Sequence, residues 1–190
     1  MSAKGTPAIT AADLAGIAYT LHEYQHHPGA DSFGLEAADA LGCELARVHK
    51  TLVAAIDGPR SHALVVAVVP VDSHLDLKAL ASALGSKRAE MAKPADAERA
   101  TGYVVGGISP LGQRKRLPTV VDASAVDHAT IFVSAGRRGL ELELRATDLV
   151  SVTGGLFAAI AGRLATGGRR EAGRASKRSG GAQPPCYRRD

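Results

Sequence analysis

Val48-His49-Lys50-Thr51-Leu52-Val53-Ala54-Ala55-Ile56 is followed by Asp57-Gly58-Pro59, and then by His62-Ala63-Leu64-Val65-Val66-Ala67-Val68-Val69-Pro70. Both apolar arms are strongly β-prone, and Asp-Gly-Pro is turn chemistry. The stretch therefore predicts a hairpin with strands over 48–56 and 62–70. Upstream, Pro7 and the spacing of Ala8, Ala12 and Ala15 predict a helix over 6–18. A short strand over 20–24 then ends in a turn at His27-Pro28-Gly29, and an Ala-rich helix over 34–41 stops at Gly42. Downstream come a helix over 76–84 with an acid in its first turn, a short strand at 89–91 and a short helix at 94–99. Strands at 119–121, 130–134 and 140–144, a turn at 136–139 and a last helix at 146–152 follow. This mixture is the pattern of an α+β (mixed α/β) domain on a largely antiparallel sheet with flanking helices.

The chain has 190 residues, 45% hydrophobic and 22% charged, with enough apolar mass to bury a core. Trp is absent and aromatics are 4%, so the core is aliphatic and a broad aromatic platform for stacking bases is excluded. The formal charge of +4 is unevenly distributed. Residues 166–190 hold seven of the 23 Lys+Arg and two of the 19 Asp+Glu, leaving 16 basic against 17 acidic residues in 1–165. The expected organisation is one domain over 1–165 and a basic, disordered tail over 166–190, where Gly, Arg, Ser and Pro erase any apolar period. Contact with a polyanion must then come from a local patch on the body. Cys43 and Cys186 form neither a disulfide framework nor a metal set. The N-terminus lacks an apolar stretch of signal-peptide length, and the longest apolar run, 63–71, is too short for a bilayer. These features predict a reduced, cytoplasmic protein with no membrane partner.

The densest chemical signal is Gly106-Gly107-Ile108-Ser109-Pro110-Leu111-Gly112. Such a loop can offer successive N–H groups to an oxyanion or phosphate, or can simply connect strands. It lacks the Lys-Ser/Thr of a phosphate loop and the dinucleotide fingerprint. Arg114-Lys115-Arg116 beside it suits a phosphodiester backbone, or a solvated face. Lys50 either sits at the sheet rim or faces a cavity as a donor, and Thr51 points to the opposite face unless a bulge intervenes. The seven histidines, among them His22, His26 and His27, lack ligand partners at workable spacing, so no metal and no cofactor is expected. No G-x-S-x-G elbow is present, and Cys43 reads as a small core residue.

The run Thr101-Gly102-Tyr103-Val104-Val105-Gly106-Gly107-Ile108-Ser109-Pro110-Leu111-Gly112-Gln113 closely resembles the signature of the YbaK family. These are Cys-tRNA(Pro)/Cys-tRNA(Cys) deacylases related to the editing domain of prolyl-tRNA synthetases. Thr6-Pro7-Ala8, His22-Glu23-Tyr24, Val48-His49-Lys50-Thr51-Leu52, Leu75-Asp76-Leu77-Lys78, Arg116-Leu117-Pro118-Thr119 and Arg138-Gly139-Leu140 agree in order and spacing, over roughly 6–163. The resemblance implies a compact fold on a curved sheet, and it assigns roles. Lys50 would bind the terminal adenosine region and ester. Gly106, Gly107, Ile108, Ser109 and Pro110 would hold the aminoacyl carbonyl. Tyr24, Phe33 and Thr51 would line the pocket, and Arg114, Lys115 and Arg116 would meet tRNA phosphates. Glu141 stands where close relatives carry Asp; the resemblance implies a carboxylate in contact with the terminal ribose or amino group, and here that carboxylate is kept but displaced by one methylene.

A synthetase pocket separates cysteine from proline by only a few kcal/mol, which is why a separate editor is needed. The resemblance implies that the substrate's own thiol attacks its ester and leaves as a cyclic thiolactone, with Cys-tRNA as substrate and prolyl-tRNA synthetase as a candidate partner. The alternatives are a deacylase of another small aminoacyl-tRNA, such as Ala-tRNA(Pro), acting through water, and a non-catalytic aminoacyl-tRNA or synthetase-binding module.

Overall fold

The computed structural model describes residues 5–27, 32–57 and 62–163. Along the chain these form α1 (Pro7–Ala15), β1 (Tyr19–Glu23), α2 (Phe33–Leu41), β2 (Val48–Asp57), β3 (His62–Pro70), β4 (Ser73–Leu75), α3 (Leu77–Ala83), β5 (Ala89–Met91) and α4 (Pro94–Thr101). After the glycine-rich loop come β6 (Thr119–Asp122), β7 (Ile131–Arg137), β8 (Leu140–Leu144), α5 (Ala146–Thr153), β9 (Leu156–Ala158) and β10 (Ala161–Arg163).

The hairpin is the centre of the molecule. β2 and β3 pair antiparallel from His49 against Pro70 to Asp57 against His62. Val65 through Val69 have no solvent exposure at all. A strand buried on both faces reads as a continuous apolar run, and that is how β3 reads. The main sheet runs β1-β8-β7-β2-β3-β6-β9, with β5 added to β2. β7 lies parallel to β2, and β6 parallel to both β3 and β9; the other pairings are antiparallel. The mixed, mostly antiparallel sheet agrees with the α+β expectation. The largest apolar cluster joins α1, β7, β8, α5 and the glycine-rich loop, through residues such as Ala8, Val133, Leu142, Leu149 and Ile108.

Local chemistry explains most element ends. The Thr6 hydroxyl accepts the Ile9 N–H and opens α1, and Gly42 closes α2 with φ +62°, where a side chain would be strained. Asp76 does not sit in the first turn of α3 as expected. It caps the helix from outside, accepting the Lys78 and Ala79 N–H groups at 2.9 and 3.0 Å. The predicted turn at 136–139 is also shorter. β7 continues to Arg137 through an irregularity after Ser134, and only the tip reverses the chain. Strands β4, β9 and β10 were not foreseen. Asp122 pins the last two, its Oδ2 accepting the Ile160 and Ala161 N–H groups at 2.8 and 2.7 Å. The turn at 58–59, the residues after His27 and the tail over 166–190 lie outside the described residues. Among the described residues, no helix is long and apolar enough to cross a membrane, and no group of three His, Cys, Asp or Glu could hold a metal ion.

Candidate active site

β2 changes neighbours partway along one edge. It pairs with β7 at Val48 and His49, and with β5 only from Ala54 to Ile56. The Val71 N–H bonds the Val48 carbonyl at 2.9 Å, which sets the parity: even-numbered residues of β2 turn their backbone toward β3, and odd-numbered ones toward the other edge. The Val53 carbonyl on that edge is taken by the Ala92 N–H at 3.0 Å, but no strand among the described residues pairs with Lys50, Thr51 or Leu52 there. The sheet is split at this point, and a cavity of about 410 Å³ fills the split.

Because the split exposes both faces of β2, Lys50 and Thr51 border the same cavity despite pointing to opposite sides of the strand. Lys50 is half-buried; its Nζ reaches the Val71 carbonyl at 3.4 Å. Burial draws its pKa below the usual lysine value, with Asp72 opposing. The Thr51 Oγ1 is buried with no hydrogen-bond partner among the described residues. His49, which the sequence did not single out, is 2% exposed. Its Nδ1 lies 3.1 Å from the Arg47 carbonyl, so that nitrogen carries the proton and the Nε2 lone pair has no partner. Burial lowers its pKa to about 4, and the ring is neutral.

Four further segments close the cavity. From β8, Glu141 is 7% exposed, and desolvation raises its pKa to about 8. Tyr24 follows β1, where its N–H bonds the Gly139 carbonyl at 3.0 Å. Burial and the nearby Glu141 push its phenol up to about 12. From α2, the Phe33 ring is covered by the Arg138 guanidinium at 4.5 Å from its centroid and also meets His26 at 5.5 Å. From the glycine-rich loop come Val105, Gly106 and Ile108. Gly106 has φ +88°, and a Cβ there would lie 2.6 Å from the Phe33 ring and 2.9 Å from the Arg138 Nε. No other residue fits that position.

The structure thus brings Lys50, Thr51, Tyr24, Phe33, Glu141, Gly106 and Ile108 around one cavity. It places the other expected residues elsewhere. The Gly107 N–H is spent on the Val104 carbonyl at 2.9 Å, closing a turn. Ser109 is fully buried; its Oγ accepts the Leu111 N–H, and its carbonyl accepts the Gln113 side chain at 2.9 Å. The serine therefore stabilises its own loop instead of facing the cavity. Pro110, Lys115 and Arg116 border a second, smaller cavity of about 200 Å³. Arg114 and Lys115 bond the end of α4 through their backbones, at 2.9 and 3.0 Å. The Arg116 guanidinium lies beside Gly154 at the C-terminal end of α5, where the helix dipole favours a cation. The three histidines of the first segment do not converge: His22 pairs with Glu143 and His26 with Glu36, both at 2.8 Å.

A cavity at a break in a curved mixed sheet, with a desolvated lysine on one wall and a glycine amide on another, suits a small acyl ester. The chain belongs to the aminoacyl-tRNA editing domain family, which it matches over residues 27–152. It is 43% identical to EbsC of Enterococcus faecalis (strain ATCC 700802 / V583), provisionally named a Cys-tRNA(Pro)/Cys-tRNA(Cys) deacylase, over 73% of this chain and 83% of that one. It is 36% identical to the multifunctional Ser/Thr-tRNA deacylase ProXp-y of Escherichia coli (strain K12), over 58% of this chain and 67% of that one. A solved structure of a protein provisionally described as a trans-editing enzyme for prolyl tRNA synthetase superposes with a TM-score of 0.72. It shares 22% identity and covers 85% of this chain and 99% of its own, a likeness of fold.

Proposed function

We propose that this protein is a trans-acting deacylase that removes cysteine from mischarged tRNA(Pro), through attack by the substrate's own thiol. The observation that carries this reading is what the cavity lacks. Among the described residues, none of its hydroxyls is bonded to an imidazole or a carboxylate. Ser134 Oγ accepts the Gly136 N–H, Ser32 caps α2, and Thr51 Oγ1 has no partner. A wall without an activated nucleophile suits a substrate that brings one. The similarity to EbsC supports cysteine as the amino acid.

In this mechanism the cysteine thiol gives its proton to solvent, from which Lys50 is later reprotonated, and the thiolate sulfur attacks the ester carbonyl. The carbonyl oxygen takes the negative charge and is met by the Lys50 ammonium and the Gly106 N–H. The tetrahedral intermediate collapses, the bond to the ribose oxygen breaks, and that oxygen takes up a proton. The products are tRNA with a free terminal hydroxyl and a thiolactone. Lys50, already destabilised as a cation by burial, is suited to supply that proton. Tyr24 and Phe33 shape the pocket, while Arg114, Lys115 and Arg116 form an exposed basic patch suited to phosphates farther along the tRNA. The enzyme would work in the cytoplasm, with prolyl-tRNA synthetase as the source of the error.

The test is deacylation of Cys-, Ser- and Ala-charged tRNA(Pro) side by side, with mass analysis of the released product. Cysteine preference and a thiolactone are expected; a preference for alanine, or free cysteine as the first product, removes the thiol route. The unpartnered Thr51 hydroxyl and the similarity to a Ser/Thr-tRNA deacylase favour a second reading, in which hydroxyl side chains are also accepted.

A further inference from the structure

The Gly106 N–H has no acceptor among the described residues, whereas its neighbour's N–H is already used within the loop. What aims it is found outside the cavity. Arg138, at the tip between β7 and β8, donates from Nη2 to the Val105 carbonyl at 2.7 Å, and the same guanidinium covers the Phe33 ring. The C=O of Val105 and the N–H of Gly106 belong to one trans peptide plane and point in opposite directions. Holding the carbonyl outward therefore turns the N–H inward, to the side that Gly106 presents to the cavity.

We propose that Arg138 is a positioning residue for this reaction: one guanidinium fixes the Val105–Gly106 peptide plane and the Phe33 wall together, so that the Gly106 amide is aimed before substrate arrives. The proposal rests on the deacylase reading for what the amide meets, but not for the aiming itself. Three features support it. Arg138 has no carboxylate partner among the described residues, whereas its neighbour Arg137 pairs with Glu23 at 2.8 Å. Arg138 is therefore not held by a surface ion pair. Gly106, Phe33 and Arg138 are packed so closely that a methyl group at Gly106 would strike both side chains. Displacement of one is felt by the others. Finally, the task needs a planar group that stacks through its face and donates through its edge, which lysine cannot do.

The test uses the full chain, with Arg138→Ala, Arg138→Lys and, as a control, Arg137→Ala. The first readout is the Gly106 amide resonance without substrate. It is expected to move or broaden in both Arg138 variants and to stay in place in Arg137→Ala. The second is single-turnover deacylation of Cys-tRNA(Pro). Both Arg138 variants should lose about a hundredfold in rate, the range seen when one oxyanion donor is misplaced, with half-saturation changed less than about threefold. Guanidinium ion should restore part of the Arg138→Ala rate, and ammonium should not. A Gly106 resonance that is unmoved in a folded Arg138 variant overturns the proposal. So does a rate within about threefold of the parent protein, or rescue by ammonium as effective as by guanidinium. If the parent protein spares every charged tRNA, the deacylase reading fails, and the Gly106 resonance still decides the positioning claim. If Arg138→Ala does not fold, Arg138→Lys carries the same comparison.

Discussion

Asp122 and Glu141 are both nearly excluded from water, at 4% and 7% exposure, yet their surroundings differ completely. Asp122 accepts hydrogen bonds from the Ser124 backbone and hydroxyl and from the Ile160 and Ala161 N–H groups. Burial works to raise its pKa, and these donors hold it below the usual carboxylate value. Glu141 has no such donors among the described residues, and desolvation carries it to about 8. One carboxylate is a satisfied anchor that fastens β9 and β10 to the sheet; the other stands beside a cavity with no hydrogen-bond donor among the described residues. Thr51 and His49 repeat the second pattern, each with an unpartnered buried atom. Polar groups far from the split are consumed by the fold, and those around it are kept available at a cost in stability.

The comparison can be broken in four ways. The largest effect is expected on the cavity side. Lys50→Ala should lower single-turnover deacylation about a thousandfold while leaving the melting temperature within a degree or so. A parallel loss of melting temperature would make Lys50 a structural residue. Next, Asp122→Ala should cost about 3 kcal/mol by chemical denaturation, because three backbone N–H groups, those of Ser124, Ile160 and Ala161, lose their acceptor. Its deacylation rate below the melting transition should stay near that of the parent.

Glu141→Gln should have the opposite sign. A carboxyl whose folded pKa is raised from 4.5 to about 8 favours the native state at low pH, and stability declines as pH rises across that interval. The amide should remove this slope and leave the variant the more stable protein at pH 8. A flat profile in the parent protein would show that Glu141 is ionised and partnered. Thr51→Val, the smallest change, should gain about 1 kcal/mol by deleting an orphaned hydroxyl while weakening discrimination among charged tRNAs. Loss of stability there would reveal a hidden partner.

The hairpin was legible because two β-branched runs around turn residues admit few alternatives, and α2 because its apolar period meets Gly42. Strands β4, β9 and β10 were not, since they form only where distant partners give them a place: β9 against β6, and β4 and β10 against each other, with Asp122 holding the Ile160 and Ala161 N–H groups. In Leu140–Leu144 the alternation predicts a strand with Glu141 and Glu143 on a common face, but not what covers that face. The fold gives Glu143 to Arg47, His22 and Thr130 and leaves Glu141 beside the cavity. The glycine-rich loop announced itself by composition. Which of its amides turns inward was not readable, because that depends on Arg138 and Phe33, both distant in sequence. Ser109 was the cost of that blindness: its hydroxyl serves the loop's own backbone.

The change of neighbours along β2 also sets the order in which the molecule can be completed. β2 and β3 are adjacent in the chain and can associate during synthesis, but the wall formed by β7 and β8 emerges only after residues 131–144 have left the ribosome. Until then the free edge of β2 has no parallel partner, so a nascent chain arrested before residue 131 should contain a folded hairpin without a pocket.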